Sequence, residues 1–161
     1  MSSLADSQPN GQHPEGLLPS DTVDFAHRMF DGARSGNLTL LDSAIEAGLP
    51  IDLTNAAGNT LLMLASYGGH PELVKYLLSK GANPNRLNDR GQSPLSGAVF
   101  KGFREVVVEL VDGGADPTLG QPNAIDCAYM FGKTDYWPLL GATEADLSPT
   151  VPRSVQSHRP E

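Results

Sequence analysis

Residues 55–87 return 33 positions later with the same glycines and the same apolar side chains. Gly58 falls on Gly91, Leu62 on Leu95, Ala65 on Ala98, Gly69 on Gly102 and Val74 on Val107. The register holds onward, with Leu77 on Leu110, Gly81 on Gly114, Ala82 on Ala115 and Pro84 on Pro117. Apolar and glycine positions that recur together at such a period mark a chain of stacked units, each too small to bury its own apolar face. That excludes a conventional layered domain and makes residues 55–87 the building block.

The local chemistry of one block is readable. Thr60 is a good helix N-cap, followed by Leu61, Leu62, Leu64 and Ala65 as a short apolar helix. Gly68-Gly69 stops it, because glycine accepts the left-handed backbone of a tight helix exit. Pro71 suits the first turn of a second helix, with Glu72 against its positive end. Leu73, Val74, Leu77 and Leu78 give that helix one broad apolar face, Lys80 closes its last turn and Gly81 ends it. The stretch from Ala82 to Gly91 is rich in Asn, Asp and Pro and reads as a turn or finger.

This unit resembles an ankyrin repeat. The resemblance rests on Gly58-x-Thr60-x-Leu62, Ala65, Gly69-His70, Val74, Leu77-Leu78, Gly81-Ala82 and Asn85. It rests equally on Gly91-x-Ser93-Pro94-Leu95, Ala98, Gly102, Val106-Val107, Leu110 and Gly114-Ala115-Asp116. The resemblance implies an all-α solenoid of about four helix-turn-helix repeats, two full and two capping, with finger loops. Two positions depart from the family pattern: its Pro is Leu61 in the first copy, and its His is Met63 and Ser96. In the family that His ties neighbouring fingers together, so those ties are expected to be weaker or replaced.

Residues 22–54 make a degenerate first repeat. Gly36 precedes Gly69 by one period, Gly48 precedes Gly81 and Asp52 precedes Asn85. Its opening has lost the finger but keeps helical spacing, with Phe25, Met29 and Ala33 on one face and Asp21 or Thr22 as cap. The remaining repeats are expected at 55–87, 88–120 and 121–141, the last shortened around Gly120-Gln121-Pro122. There Asn123 caps a helix carrying Ile125, Cys127, Ala128 and Phe131, and Trp137 and Leu140 seal the end of the stack. Such terminal units carry one face against a neighbour and one in water. The repeat domain is expected over 21–142. Residues 1–20 and 143–161 read as disordered segments on their Pro-rich, hydroxyl-rich composition. Ser148-Pro149 is too common a dipeptide to mark a phosphorylation site.

Charge and cysteine content narrow the function. A net charge of −8 argues against nucleic-acid binding, which needs a basic footprint. One cysteine, Cys127, rules out an internal disulfide. No leading apolar segment reads as a secretory signal and no run of 18 apolar residues suits a membrane. A cytoplasmic home, also nuclear in a eukaryote, is expected. The histidines at 13, 27, 70 and 158 and Cys127 form no metal-ligand spacing or nucleophile motif. No enzyme activity and no cofactor are expected.

Binding remains. The resemblance places contacts on finger tips and the outer end of the first helix of each pair. Those positions are Ala56, Ala57, Asn59, Tyr67 and Gly68, then Asp89, Arg90, Gln92, Phe100 and Lys101, with Arg34 and Met130 at the equivalent helix position of the end repeats. One position read down the stack gives Arg34, Tyr67, Phe100, Met130. Aromatics, Met and Arg are enriched in interface centres, which favours a stripe that docks another protein. The competing account is that Tyr67, Phe100 and Met130 pack against one another as internal glue. The functional expectation is a monomeric adaptor or regulator working through the concave face. The alternative is an acidic escort or chaperone for a basic client.

Overall fold

Recurrent caps and glycine exits cut the chain into short helices. The computed structural model describes residues 20–153, and within them the helices form two parallel rows. We number them α1 (Ser20–Ser35), α2 (Leu38–Glu46), α3 (Leu61–Tyr67), α4 (Pro71–Ser79), α5 (Pro94–Lys101), α6 (Arg104–Asp112), α7 (Ala124–Met130) and α8 (Trp137–Leu140). α1, α3, α5 and α7 pack in series as the inner row, and α2, α4, α6 and α8 in series as the outer row. Among the described residues no strand forms; one isolated antiparallel bridge joins Thr54 to Thr60. The fold is the expected all-helical solenoid.

The caps repeat with the sequence. Thr60 accepts from the Met63 amide at 3.1 Å, Ser93 from Ser96 at 3.0 Å and Asn123 from Asp126 at 2.8 Å. Each satisfies an amide that the helix start leaves orphaned. Gly69 and Gly102 leave their helices with φ of 78° and 77°, where a side chain would be strained. Helices of seven to nine residues are too short to persist alone, so their stability comes from packing between rows. Leu41, Leu62, Leu73, Leu77, Leu95 and Leu110 are fully buried in one continuous core.

The fingers are tied without the family His. Asn88 accepts from the amides of Arg90 and Gln92 at 2.9 and 3.0 Å and donates from Nδ2 to Asn59 Oδ1 and Gln92 Oε1, both at 2.8 Å. Backbone bonds from Asp89 to the Ala57 carbonyl and from Gln121 to the Gly91 carbonyl join successive fingers. Met63 is buried as an apolar side chain. His70 stays structural: its Nε2 lies 2.7 Å from the Arg34 carbonyl, and its ring covers Gly36, as Phe103 covers Gly69 one repeat later.

Three expectations at the ends are corrected. α1 already includes Asp21 and Thr22, so neither caps it, and Phe25 is exposed while Phe30 joins Met29 and Ala33 in the core. Phe131, expected within the helix, stands at its C-cap and is exposed, because α7 ends at Met130. Residues 143–153, expected as tail, continue the packed structure. Thr143 and Asp146 form a capping box, Leu147 and Val151 are buried, and Ser148 donates its amide to Asp126 Oδ1 at 2.9 Å and its hydroxyl to Asp126 Oδ2. Trp137 closes the same end by donating Nε1 to the Ile125 carbonyl at 3.1 Å. The expectations for residues 1–19 and 154–161 lie outside the described residues.

Candidate functional site

The inner row presents a groove of about 640 Å³ between α3, α5 and α7. Six of the twelve residues singled out in the sequence line it: Asn59, Tyr67, Gln92, Phe100, Lys101 and Met130. Its shape starts with Tyr67, the last residue of α3. The Tyr67 ring lies over Gly97 of α5, where an added Cβ would overlap it, and its hydroxyl donates to the Ser93 carbonyl at 3.1 Å. Burial pushes the phenol up to about 12. Tyr67 is therefore a fixed wall joining two repeats, held by Gly97 and Ser93 of the next one.

Phe100 and Met130 behave differently. They are 49% and 42% exposed, and Phe131 beside them is 49% exposed. Phe100 packs edge-to-face with Phe131, ring centroids 4.7 Å apart at 77°, a favourable aromatic geometry. The stripe read from the sequence thus divides: Tyr67 is packing, while Phe100 and Met130 remain open to solvent with Phe131. Phe131 was missed because the apolar spacing of α7 suggested one more helical residue. Gly97 was missed although a glycine inside a helical pattern signals a close packing need.

The other predicted residues lie apart. Arg34 lines a separate hollow of about 450 Å³ with His27, Phe30 and Ala57, and pairs with Asp31 at 2.7 Å. Asp89 and Arg90 are exposed on the finger and line neither hollow. Cys127, on the groove floor, donates its thiol to the Ser96 carbonyl at 3.5 Å. Burial, the largest influence on it, raises that thiol to about 11, which disfavours the nucleophilic thiolate. Among the described residues no group of three His, Cys, Asp or Glu could hold a metal ion, and no helix is long and apolar enough to cross a membrane. The groove offers apolar contact and hydrogen bonding.

Known proteins share this architecture. The family model described as ankyrin repeats in three copies matches residues 29–121, more than half of the chain. An ankyrin repeat protein of Pseudomonas aeruginosa is 47% identical over 62 residues, 38% of this chain and 36% of the relative. The ankyrin repeat and KH domain-containing protein mask-1 of Caenorhabditis elegans is 32% identical over 111 residues, 68% of this chain and 4% of that protein. The human NAD-capped RNA hydrolase NUDT12 is 35% identical over 83 residues, 50% of this chain but 18% of the hydrolase. The solved ankyrin repeat domain of human ASB11 aligns with a TM-score of 0.66 at 28% identity, covering 78% of this chain and 57% of that one. The chain spans little more than a third, or far less, of the length of these curated relatives. Ankyrin arrays are non-catalytic scaffolds for protein–protein interaction. Its period, its paired helix rows and its glycine-punctuated fingers have one common account: the chain belongs to the ankyrin repeat family.

Proposed function

We propose that this chain is a docking module that holds another protein in the groove between α3, α5 and α7, and acts through it as an adaptor or regulator. The observation that carries the reading is the contiguous exposure of Phe100, Met130 and Phe131 around one hollow. Apolar side chains left open together, rather than singly, are the mark of an interaction surface. Each one covered by a partner contributes roughly 1.5–3 kcal/mol before ordering costs.

The escort reading has less support. Residues 21–142 carry 9 Lys and Arg against 14 Asp and Glu, a difference of −5. Yet no carboxylate lines the groove, and its charged residue is Lys101. A basic client would find no opposite charge at the most adhesive part of the surface.

Affinity capture from native lysate on the immobilised chain tests the two readings, at low and at high salt. Phe100→Ala/Phe131→Ala removes the apolar pair, and Phe25→Ala serves as an exposed-aromatic control in α1. All three forms are first matched by thermal melt. A specific protein kept at both salts by wild type and Phe25→Ala, and lost by the double variant, is the expected result. Retention of that protein by the double variant contradicts docking at the groove. Basic proteins held by every form and released by salt support the escort reading instead.

A further inference from the structure

The polarity of the groove's hydrogen bonding is set by one buried amide. Asn88 accepts two backbone amides, from Arg90 and Gln92, through Oδ1. That fixes its orientation, because only the oxygen of an amide accepts. Its Nδ2 must then donate outward, and it does so to Asn59 Oδ1 and Gln92 Oε1. Both of these groove residues therefore turn their oxygens to Asn88, each accepting one of its bonds. Their NH2 groups bond no acceptor among the described residues, and both side chains are only half-buried. At the far end of α5, Lys101 is exposed and forms no ion pair among the described residues. The two donors nearest the floor, the Tyr67 hydroxyl and the Cys127 thiol, are already spent on carbonyls of α5's first turn and cap.

The polar groups of Asn59, Gln92 and Lys101 that make no bond among the described residues are thus donors, at both ends of an apolar hollow lined by no Asp or Glu. In a chain of net charge −8 this is a local inversion. We infer that the groove's occupant is a short acidic-apolar segment of a partner protein: a large apolar side chain on Phe100 and Phe131, a flanking carboxylate at Lys101, and an acceptor at the Asn59–Gln92 end. The inference rests on the docking reading above and names what is docked. The span follows from α5 itself, eight residues long and so about 12 Å from end to end. An extended segment covers that in about three to four residues. The hollow's volume suits a few side chains rather than a flat protein face.

Selection of a phage-displayed random dodecapeptide library on the whole chain tests this directly. Wild type is expected to enrich peptides with Phe, Trp, Leu or Met next to Asp or Glu, and with a second acceptor residue three to four positions away. Lys101→Glu should lose the acidic preference and gain Lys or Arg at that place. A wild-type consensus peptide, followed by fluorescence polarisation, should bind Lys101→Glu about tenfold more weakly, the size of one exposed charge pair reversed. Apolar peptides with no acidic preference overturn the inference and leave groove docking standing. So does an acidic preference that persists in Lys101→Glu. Peptides that bind Phe100→Ala/Phe131→Ala as well as wild type overturn the docking reading itself, and an empty selection counts against both.

Discussion

A Cβ added at Gly97 would fall inside the Tyr67 ring, so the missing side chain at this point of α5 lets Tyr67 lie flat and reach the Ser93 carbonyl. Two effects oppose each other in Gly97→Ala. Alanine is better than glycine inside a helix by about 1 kcal/mol. Expelling the Tyr67 ring costs about 1–3 kcal/mol of overpacking, plus about 1 kcal/mol for its hydrogen bond. The clash wins, and Gly97→Ala should lower the melting temperature. In a Tyr67→Ala background the ring is gone, and the same substitution should raise it. A stabilising Gly97→Ala in wild type would show that Tyr67 is not held there. The same pair shows where reading the sequence stopped short. Tyr67 stood at the position that faces partners in the family, and only the residue opposite reveals that it faces its neighbour.

At the scale of elements, the short helices and the caps of α3 and α7 were legible because local chemistry decides them. Thr60, Ser93 and Asn123 cap in the structure as their side chains dictate. Residues 143–153 were not legible by composition, since their prolines and hydroxyls resemble a tail. The repeat frame held the missing signal. Gly141-Ala142 matches Gly81-Ala82 and Gly114-Ala115, and Ser148 stands as far beyond Ala142 as Asn88 stands beyond Ala82. The chain therefore begins a further finger, which lies over Asp126 of α7. Asp126 occupies the place of Met63 and Ser96 in earlier repeats, and being buried it needs the two donors that Ser148 supplies. Ser148→Ala should cost about 1.5–3 kcal/mol in urea unfolding, the value of one hydrogen bond to a carboxylate. Truncation after Ala142 should cost more, since Leu147 and Val151 go too. Adding Asp126→Asn to the truncated chain should return part of that loss. A truncated chain as stable as the full one would reduce the segment to an ornament.

Across the whole molecule, the repeats depend on one another through their seams, because each unit contacts only its neighbours. Two seams meet in the groove: Tyr67 bonds α3 to the cap of α5, and Cys127 bonds α7 to Ser96 in α5. In both, the donor is a group that must keep its proton. Burial raises the Cys127 thiol from 9.0 to about 11 and the Tyr67 phenol from 10.0 to about 12. Tyr76 of α4 rises to about 12 as well, through desolvation and then its 2.7 Å bond to Asp42 of α2. The folded chain holds these protons more tightly than the unfolded one. Their contribution is fully present below pH 9, where both states are protonated. It is lost as pH climbs, first through the thiol's window between 9.0 and about 11, then through the phenols' window between 10.0 and about 12. Urea midpoints should therefore stay level from neutral pH to about 9 and fall beyond it. Cys127→Ala removes the earliest ionisation, so its decline should begin nearer the phenols' range, and from a lower plateau set by the lost packing. A midpoint that falls along the same curve in wild type and Cys127→Ala would mean that the thiol is not a seam, and that the groove floor is held by apolar contact alone.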